Sequence, residues 1–227
     1  MQNFKDLDSE TLYGLFSKGR ILSYDSINQH FENLALIGQI SENLGIAEVL
    51  LRNKIDFVMS ESDALWLESL PQDFHFEAPK DLNATRDKII SIQSLGFWVK
   101  VVDFYRIHDK ILCNDFLDSL DFKRYYAKNT HYFKDSSGLR RYHKVRLLLH
   151  LLRNLRNRAF HFENLYKLND ENKPRLMASI KNNENALCVI NLETSKIKLF
   201  LKDLISELVK RESGGKGSPK NESIMPQ

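Results

Sequence analysis

An all-α fold is what this sequence predicts, and three observations carry the prediction. Glycine and proline are scarce, 9 and 5 in 227 residues, so few positions interrupt a helix. Apolar residues recur at spacings of three and four rather than two, the period of a helix face. Hydrophobic residues make up 42% and charged residues 28%, a balance that lets a chain of this length bury a core. One helical domain over 1–211 is expected, with 212–227 as a disordered tail because that segment has no hydrophobic pattern.

The elements follow in order. A short helix is expected over 9–17, with Ser9 as N-cap and Gly19 as its stop. A second starts after Ser26, carries Ile27, Phe31, Leu34 and Leu36, and breaks at Gly45. A third, 46–59, turns Val49, Leu50, Ile55 and Val58 inward; a short one follows over 64–69, and 71–80 reads as a loop. From about Leu82 the pattern runs through Ile89, Ile92 and Leu95 into FWVKVVDFY, where Phe97 and Trp98 are expected in the core. That stretch has the composition of a buried strand, yet a lone strand among helices finds no pairing partner, so helix is the reading. Helix is also expected over 109–120, followed by partly irregular chain to 138. The helix over 139–161 has an apolar stripe of Leu148, Leu152, Leu155, Ala159 and Phe162, and the last helix, 194–210, buries Ile197, Leu201, Leu204, Ile205 and Leu208.

Several functions are excluded or disfavoured by these properties. No apolar run of the length needed to span a bilayer stands out, and MQNFKDLDSE has acids where a leader would be basic then apolar, so a cytoplasmic protein away from membranes is expected. Cys113 and Cys188 match neither a disulfide framework nor zinc spacing and read as buried or half-buried thiols. His143 and His150 stand seven apart without a carboxylate at ligand spacing, so no metal and no cofactor are expected.

The net charge of +3 says little, but its distribution says more. Between 136 and 162 the chain carries Arg140, Arg141, Lys144, Arg146, Arg153, Arg156 and Arg158 and no acid. Arg140, Arg141, Lys144, Arg146, Arg153 and Arg158 are therefore candidate RNA-binding residues, with Arg52 added from an earlier helix. Such a run can equally be a solvated helix face. Lys123, Arg124, Tyr125 and Tyr126 interleave charge with aromatic rings and are a further candidate for RNA contact.

Within LRNLRNRAFHFENL, Arg156 and His161 are five positions apart, about 140° around a helix, whereas Asn157 and His161 are four apart and share a ridge. Asn157 can thus orient the imidazole. A histidine near neutrality can take the proton of a ribose 2′-hydroxyl or give one to a leaving 5′-oxygen. An arginine stays charged and matches phosphate oxygens in a bidentate fork, as a pentacoordinate phosphorane requires. One histidine cannot readily serve as both acid and base, which points to a second copy of the motif from another subunit. The spacing alone also fits a capping histidine near a helix C-terminus and an ordinary solvated arginine.

The phrase LRNLRNRAFHFENL resembles the signature of HEPN ribonucleases, an arginine followed by a polar residue and then by histidine; Arg156, Asn157 and His161 meet it. AEVLLRNKIDF (47–57), with Glu48, Arg52 and Asn53, and SLGFWVKVVDF (94–104) resemble the early and central motifs of the abortive-infection, Abi-like (AbiD/AbiF) branch. The three occur in the family's order within 34–168, and the chain departs at Phe160, where many relatives carry a polar residue. The resemblance implies a HEPN-like helical bundle with elaborations and a homodimer whose motif helices meet at a shared cleft. It implies metal-independent cleavage of an RNA substrate, leaving a 2′,3′-cyclic phosphate and a 5′-hydroxyl, with Arg156, His161 and Asn157 as the catalytic group. It also implies phage defence by growth arrest, or a toxin of a toxin–antitoxin pair, some relatives being held by a small noncoding RNA.

Two other readings stand beside this one: a non-catalytic RNA-binding or scaffold protein on the same fold, and a small helical DNA-binding regulator. The second is disfavoured because the basic helix carries a leucine stripe rather than following a tight turn as a short recognition helix. Arg52 either buttresses the cleft, binds RNA, or bridges to Glu48 four residues earlier.

Overall fold

The computed structural model describes residues 4, 7–71, 74, 76–81 and 83–210. The expected tail over 212–227 and the helix start at Leu82 lie outside these residues. Helices α1 (Ser9–Phe16), α2 (Lys18–Ile21), α3 (Ile27–Ser62), α4 (Arg86–Ile92), α5 (Leu95–Tyr105), α6 (His108–Ile111), α7 (Asn114–Ser119), α8 (Arg141–Phe160) and α9 (Ile197–Leu208) make the fold mainly α. Strands β1 (Met177–Lys181) and β2 (Leu187–Asn191) form an antiparallel hairpin between α8 and α9, pairing Met177 with Asn191 and Lys181 with Leu187. The all-α expectation is corrected there. Its signal was present: Ala178 and Ile180 alternate inward, and the turn between the strands is rich in asparagine, with Asn185 at φ 61°.

The largest departure is α3, which runs unbroken for 36 residues through Gly45. Ile37, Ile40, Leu44, Ala47, Leu51, Ile55 and Met59 recur at three and four and are buried against α5, α8 and α9. Gly45 lies off that stripe. Its helical cost relative to alanine is about 0.5–1 kcal/mol, small beside the burial on either side. The inward face is therefore rotated from the expected one: Val49 is exposed, and Leu50 and Val58 are half-buried. Part of α3 is long and apolar enough to cross a membrane by length and composition, contrary to the expectation that no such run exists. In this fold it is the central core helix.

Smaller corrections have local causes. Asp8, rather than Ser9, caps α1, its carboxylate accepting the N–H groups of Glu10 and Thr11. The break then falls at Ser17, φ 64°, with Gly19 inside α2. Residues 64–69 form turns rather than a helix. Gln93 separates α4 from α5, and an extended Leu112–Cys113 link separates α6 from α7. The stretch FWVKVVDFY is helical, with Phe97 and Trp98 buried, and residues 121–140 are largely irregular.

Helix α8 is the second core element. Val145, Leu147, Leu148, Leu149, Leu151, Leu152, Leu155 and Ala159 are all buried, and the helix packs on α3, α5, α6, α7 and β1. Phe162, expected in its stripe, lies beyond its end and is exposed. Because a Cβ at Gly45 would meet nothing within 4 Å, Gly45→Ala should stabilise the protein by about 0.5–1 kcal/mol, read as a higher denaturant midpoint at unchanged slope.

Candidate functional site

The three phrases singled out in the sequence converge in space. The first lies on α3, the second forms α5, and both helices pack against α8, which carries the third. Glu48 is the link: its Oε2 accepts from Arg156 Nε at 3.1 Å. The bridge from Glu48 to Arg52 is not formed; Arg52 instead reaches Asn53 Oδ1 at 3.3 Å and the Ser91 carbonyl at 3.5 Å. Arg156 also sits over the Phe160 ring, 5.2 Å from its centroid. The guanidinium is thus aimed by a carboxylate on one side and an exposed aromatic face on the other.

His161 occupies the C-cap of α8, and its position is set by backbone geometry. Phe162 adopts φ 52°, the Phe162 N–H donates to Ala159 O, and the Glu163 N–H donates to Arg158 O, a Schellman ending in which phenylalanine stands where glycine is preferred. Holding a non-glycine residue there costs about 1 kcal/mol or more and needs outside support. Arg20 supplies it, donating to Phe162 O at 2.9 Å. So does Asn33, fully buried in α3: it accepts from the Leu165 N–H at 2.9 Å and donates to Glu163 O and to the Tyr24 hydroxyl. Asn164 donates to Ser23 O. The turn after α8 is tied at four points to α2, α3 and the link between them, which leaves the exposed His161 imidazole on a fixed base.

His161 faces a cavity of about 350 Å³ whose other charged walls are Arg20, Glu163, Lys167 and Arg175, with Tyr24 beside them. Burial raises the Tyr24 phenol above its ordinary range, so it is neutral at pH 7. Arg156 and Asn157 are not among the cavity's lining residues. Asn157 is exposed, and its contact with His161 is made by its carbonyl, which accepts the His161 N–H; its side chain forms no hydrogen bond among the described residues. Within one chain, then, the histidine and the arginine of the phrase are held by different partners. Arg20, Lys167 and Arg175 were not legible as site residues, because they come from α2 and from the chain after α8 and share no local pattern with the phrase.

The acid-free stretch meets its acids from elsewhere. Arg141 pairs with Asp118, Arg158 with Glu163, and Lys144 donates to the carbonyls of Leu117 and Leu120 at the end of α7. Arg146 Nε stands 3.0 Å from Asp103 Oδ1, near but poorly aligned for a hydrogen bond. Asp103 is also met by His108 at 2.9 Å and His150 at 3.7 Å. Burial works to raise the Asp103 carboxyl, but His108, His150 and Arg146 outweigh it and hold it well below the usual range. His143 is pushed down to about 4, first by burial and then by Arg146, Arg140 and His108. It is therefore neutral at pH 7 and accepts the Arg140 N–H. Arg153 is half-buried beside Gly96 on α5, and Arg140 is exposed with no carboxylate partner among the described residues. The stretch is largely a set of structural pairs rather than an open row of cations; Arg140, exposed, and Arg153, half-buried, stand outside it. Arg124 and Tyr125 are likewise engaged, both bonded to Asp203 of α9, with Tyr125 fully buried.

Compared with known proteins, the chain matches no protein-family model, no curated protein and no solved structure.

Asn33→Ala removes the acceptor of a buried N–H and should destabilise the fold by about 2–3 kcal/mol in chemical denaturation. Asp103 titrates low in the fold, so its stabilisation is complete above the unfolded carboxyl value of about 3.9 and is lost as pH falls below it. Asp103→Asn should therefore be less stable than the wild-type protein at pH 7, with the gap narrowing below about pH 4 when unfolding is followed against pH.

Proposed function

We propose that this protein is a metal-independent endoribonuclease in which His161 transfers the proton and arginine stabilises the phosphorane. The observation that carries the reading is His161 itself: an exposed imidazole on a braced turn, facing a cavity with three cationic side chains. The ribose 2′-hydroxyl attacks the adjacent phosphorus while His161 takes its proton or protonates the departing 5′-oxygen. The products are a 2′,3′-cyclic phosphate and a 5′-hydroxyl. Arg156, oriented by Glu48, is the phosphorane-stabilising group named by the phrase, and Asn157 and Arg153 play lesser parts.

A shared site between two copies answers two features of the single chain. One chain offers one histidine in the phrase, and Arg156 lies outside the His161 cavity. Phe160 and Phe162, 43% and 49% exposed, flank His161 and give a second copy an apolar surface to bury. By its resemblance to Abi-like proteins, the activity extends to phage defence by abortive infection or to a toxin held by an antitoxin such as a small noncoding RNA. The second reading is a non-catalytic RNA-binding protein, and the Arg156–Glu48 pair favours it, because a guanidinium already bonded to a carboxylate is less available to a phosphate.

RNA cleavage in EDTA separates the two. Wild-type protein should cut, and His161→Ala should lose about 100- to 10,000-fold in rate while retaining RNA affinity. Arg156→Lys should fall strongly because the planar fork is lost, whereas Asn157→Ala keeps the carbonyl that accepts the His161 N–H and should cost less. A folded His161→Ala protein that cuts normally overturns the assignment, a metal requirement overturns the mechanism, and RNA binding without cleavage by the wild type favours the second reading.

A further inference from the structure

The opposite end of α8 carries a second site with different chemistry. A cavity of about 870 Å³ opens where the end of α5, α6, the first turn of α8 and the hairpin turn meet, and its walls include Arg106, Arg140, Arg141, Arg146, Tyr142 and Asn183. Four arginines from two elements therefore line one space. Two of them have counter-charges: Arg141 is held by Asp118, and Arg146 by Asp103, which also receives His108. The other two do not. Arg106 and Arg140 are exposed and have no carboxylate partner among the described residues.

The backbone reinforces the asymmetry. Arg106 ends α5 at φ 56°, a left-handed conformation that costs a non-glycine residue about 1 kcal/mol or more, and it carries this side chain to the cavity. Arg140 is the N-cap of α8, a 20-residue helix with no acid in its first turn, so the positive end of the helix dipole adds to the same field. With Asp118 on Arg141, Asp103 on Arg146 and Asp109 on the wall, four arginines meet three carboxylates, which leaves a positive excess of one. A dianionic phosphate monoester matches the two unpaired guanidinium groups in charge and in fork geometry. The volume lies within the range of cavities that hold whole small molecules, far more than a bare phosphate fills. Tyr142, Asn183 and Asp109 on the same walls bring an aromatic and two polar side chains to a sugar or base.

We infer that this cavity binds a 5′-phosphorylated nucleoside, with Arg106 and Arg140 on the phosphate and the nucleoside directed toward Tyr142. The ligand is either a free nucleotide or the 5′-phosphorylated end of an RNA. Helix rise puts Arg141 and His161 about 30 Å apart, so a phosphate bound here lies outside the reach of His161 and the inference does not depend on what that histidine does.

Calorimetric titration of the full chain tests it with four probes: adenosine 5′-monophosphate, adenosine, and one 2′-O-methyl decaribonucleotide, which has no 2′-hydroxyl to cleave through, bearing either a 5′-phosphate or a 5′-hydroxyl. The phosphorylated member of at least one pair should bind about tenfold or more tighter than its unphosphorylated counterpart. Arg106→Gln and Arg140→Gln should each remove about tenfold of that preference, and His161→Ala should leave it intact. Both arginines are exposed, so thermal unfolding of the variants should match the wild type. A phosphorylated decamer that outbinds the mononucleotide identifies an RNA end, and equal affinities identify a free nucleotide. Absence of a phosphate preference in both pairs overturns the inference, as does wild-type binding by the two glutamine variants or loss of the preference in His161→Ala.

Discussion

Helix α8 has to bury a wide arc of aliphatic side chains and carry a dense set of cations within 20 residues, and the rest of the molecule is arranged around that conflict. Val145, Leu147, Leu148, Leu149, Leu151, Leu152 and Leu155 leave little of the middle of the helix facing water. A cation close to such a core costs less when a carboxylate or carbonyl meets it. Each neighbouring element supplies one: Glu48 from α3, Asp103 from α5, Asp118 and two carbonyls from α7, and Glu163 from the turn that follows. The packing of α8 and the placement of these acids are one requirement.

Apart from the half-buried Arg153 in mid-helix, what remains uncompensated lies at the two ends of the helix, where side chains reach water without crossing the core. At the C-terminal end, the left-handed Phe162 and the Asn33 network fix His161 beside Arg20, Lys167 and Arg175. At the N-terminal end, Arg106 and Arg140 flank a larger cavity. The helix therefore separates two positively charged sites by its own length. One contains the exposed His161 imidazole, and the other the guanidinium groups of Arg106 and Arg140, which have no carboxylate partner among the described residues.

Where sequence patterns and structure diverge, the divergences share a cause: a local rule outweighed by burial elsewhere. Gly45 marks a helix break by propensity, but seven apolar residues of α3 are buried on one stripe, and the helix runs through the glycine. Glu48 and Arg52 have ideal helix-pair spacing, but Arg156 offers Glu48 a partner in a drier setting. The hairpin is a pair of five-residue strands whose brief alternation is outweighed locally by the helical pattern around it, and it is stabilised by β1 packing on α8 and by Asn154 donating to Met177 O.

The sequence by itself determined the helical period of the chain, the core roles of Phe97, Trp98 and the leucines of α8, and the grouping of Arg156, Asn157 and His161 at one helix end. These depend on spacing and composition, which are local. Only the tertiary structure decided which cations stay unpaired, because the acids that neutralise Arg141, Arg146, Arg156 and Arg158 belong to α7, α5, α3 and the turn beyond α8. It also decided that Arg20, Lys167 and Arg175 surround His161, while Arg156 is held elsewhere by Glu48. A charge run in a sequence records residues along a chain, whereas an electrostatic site depends on what approaches each charge from across the fold.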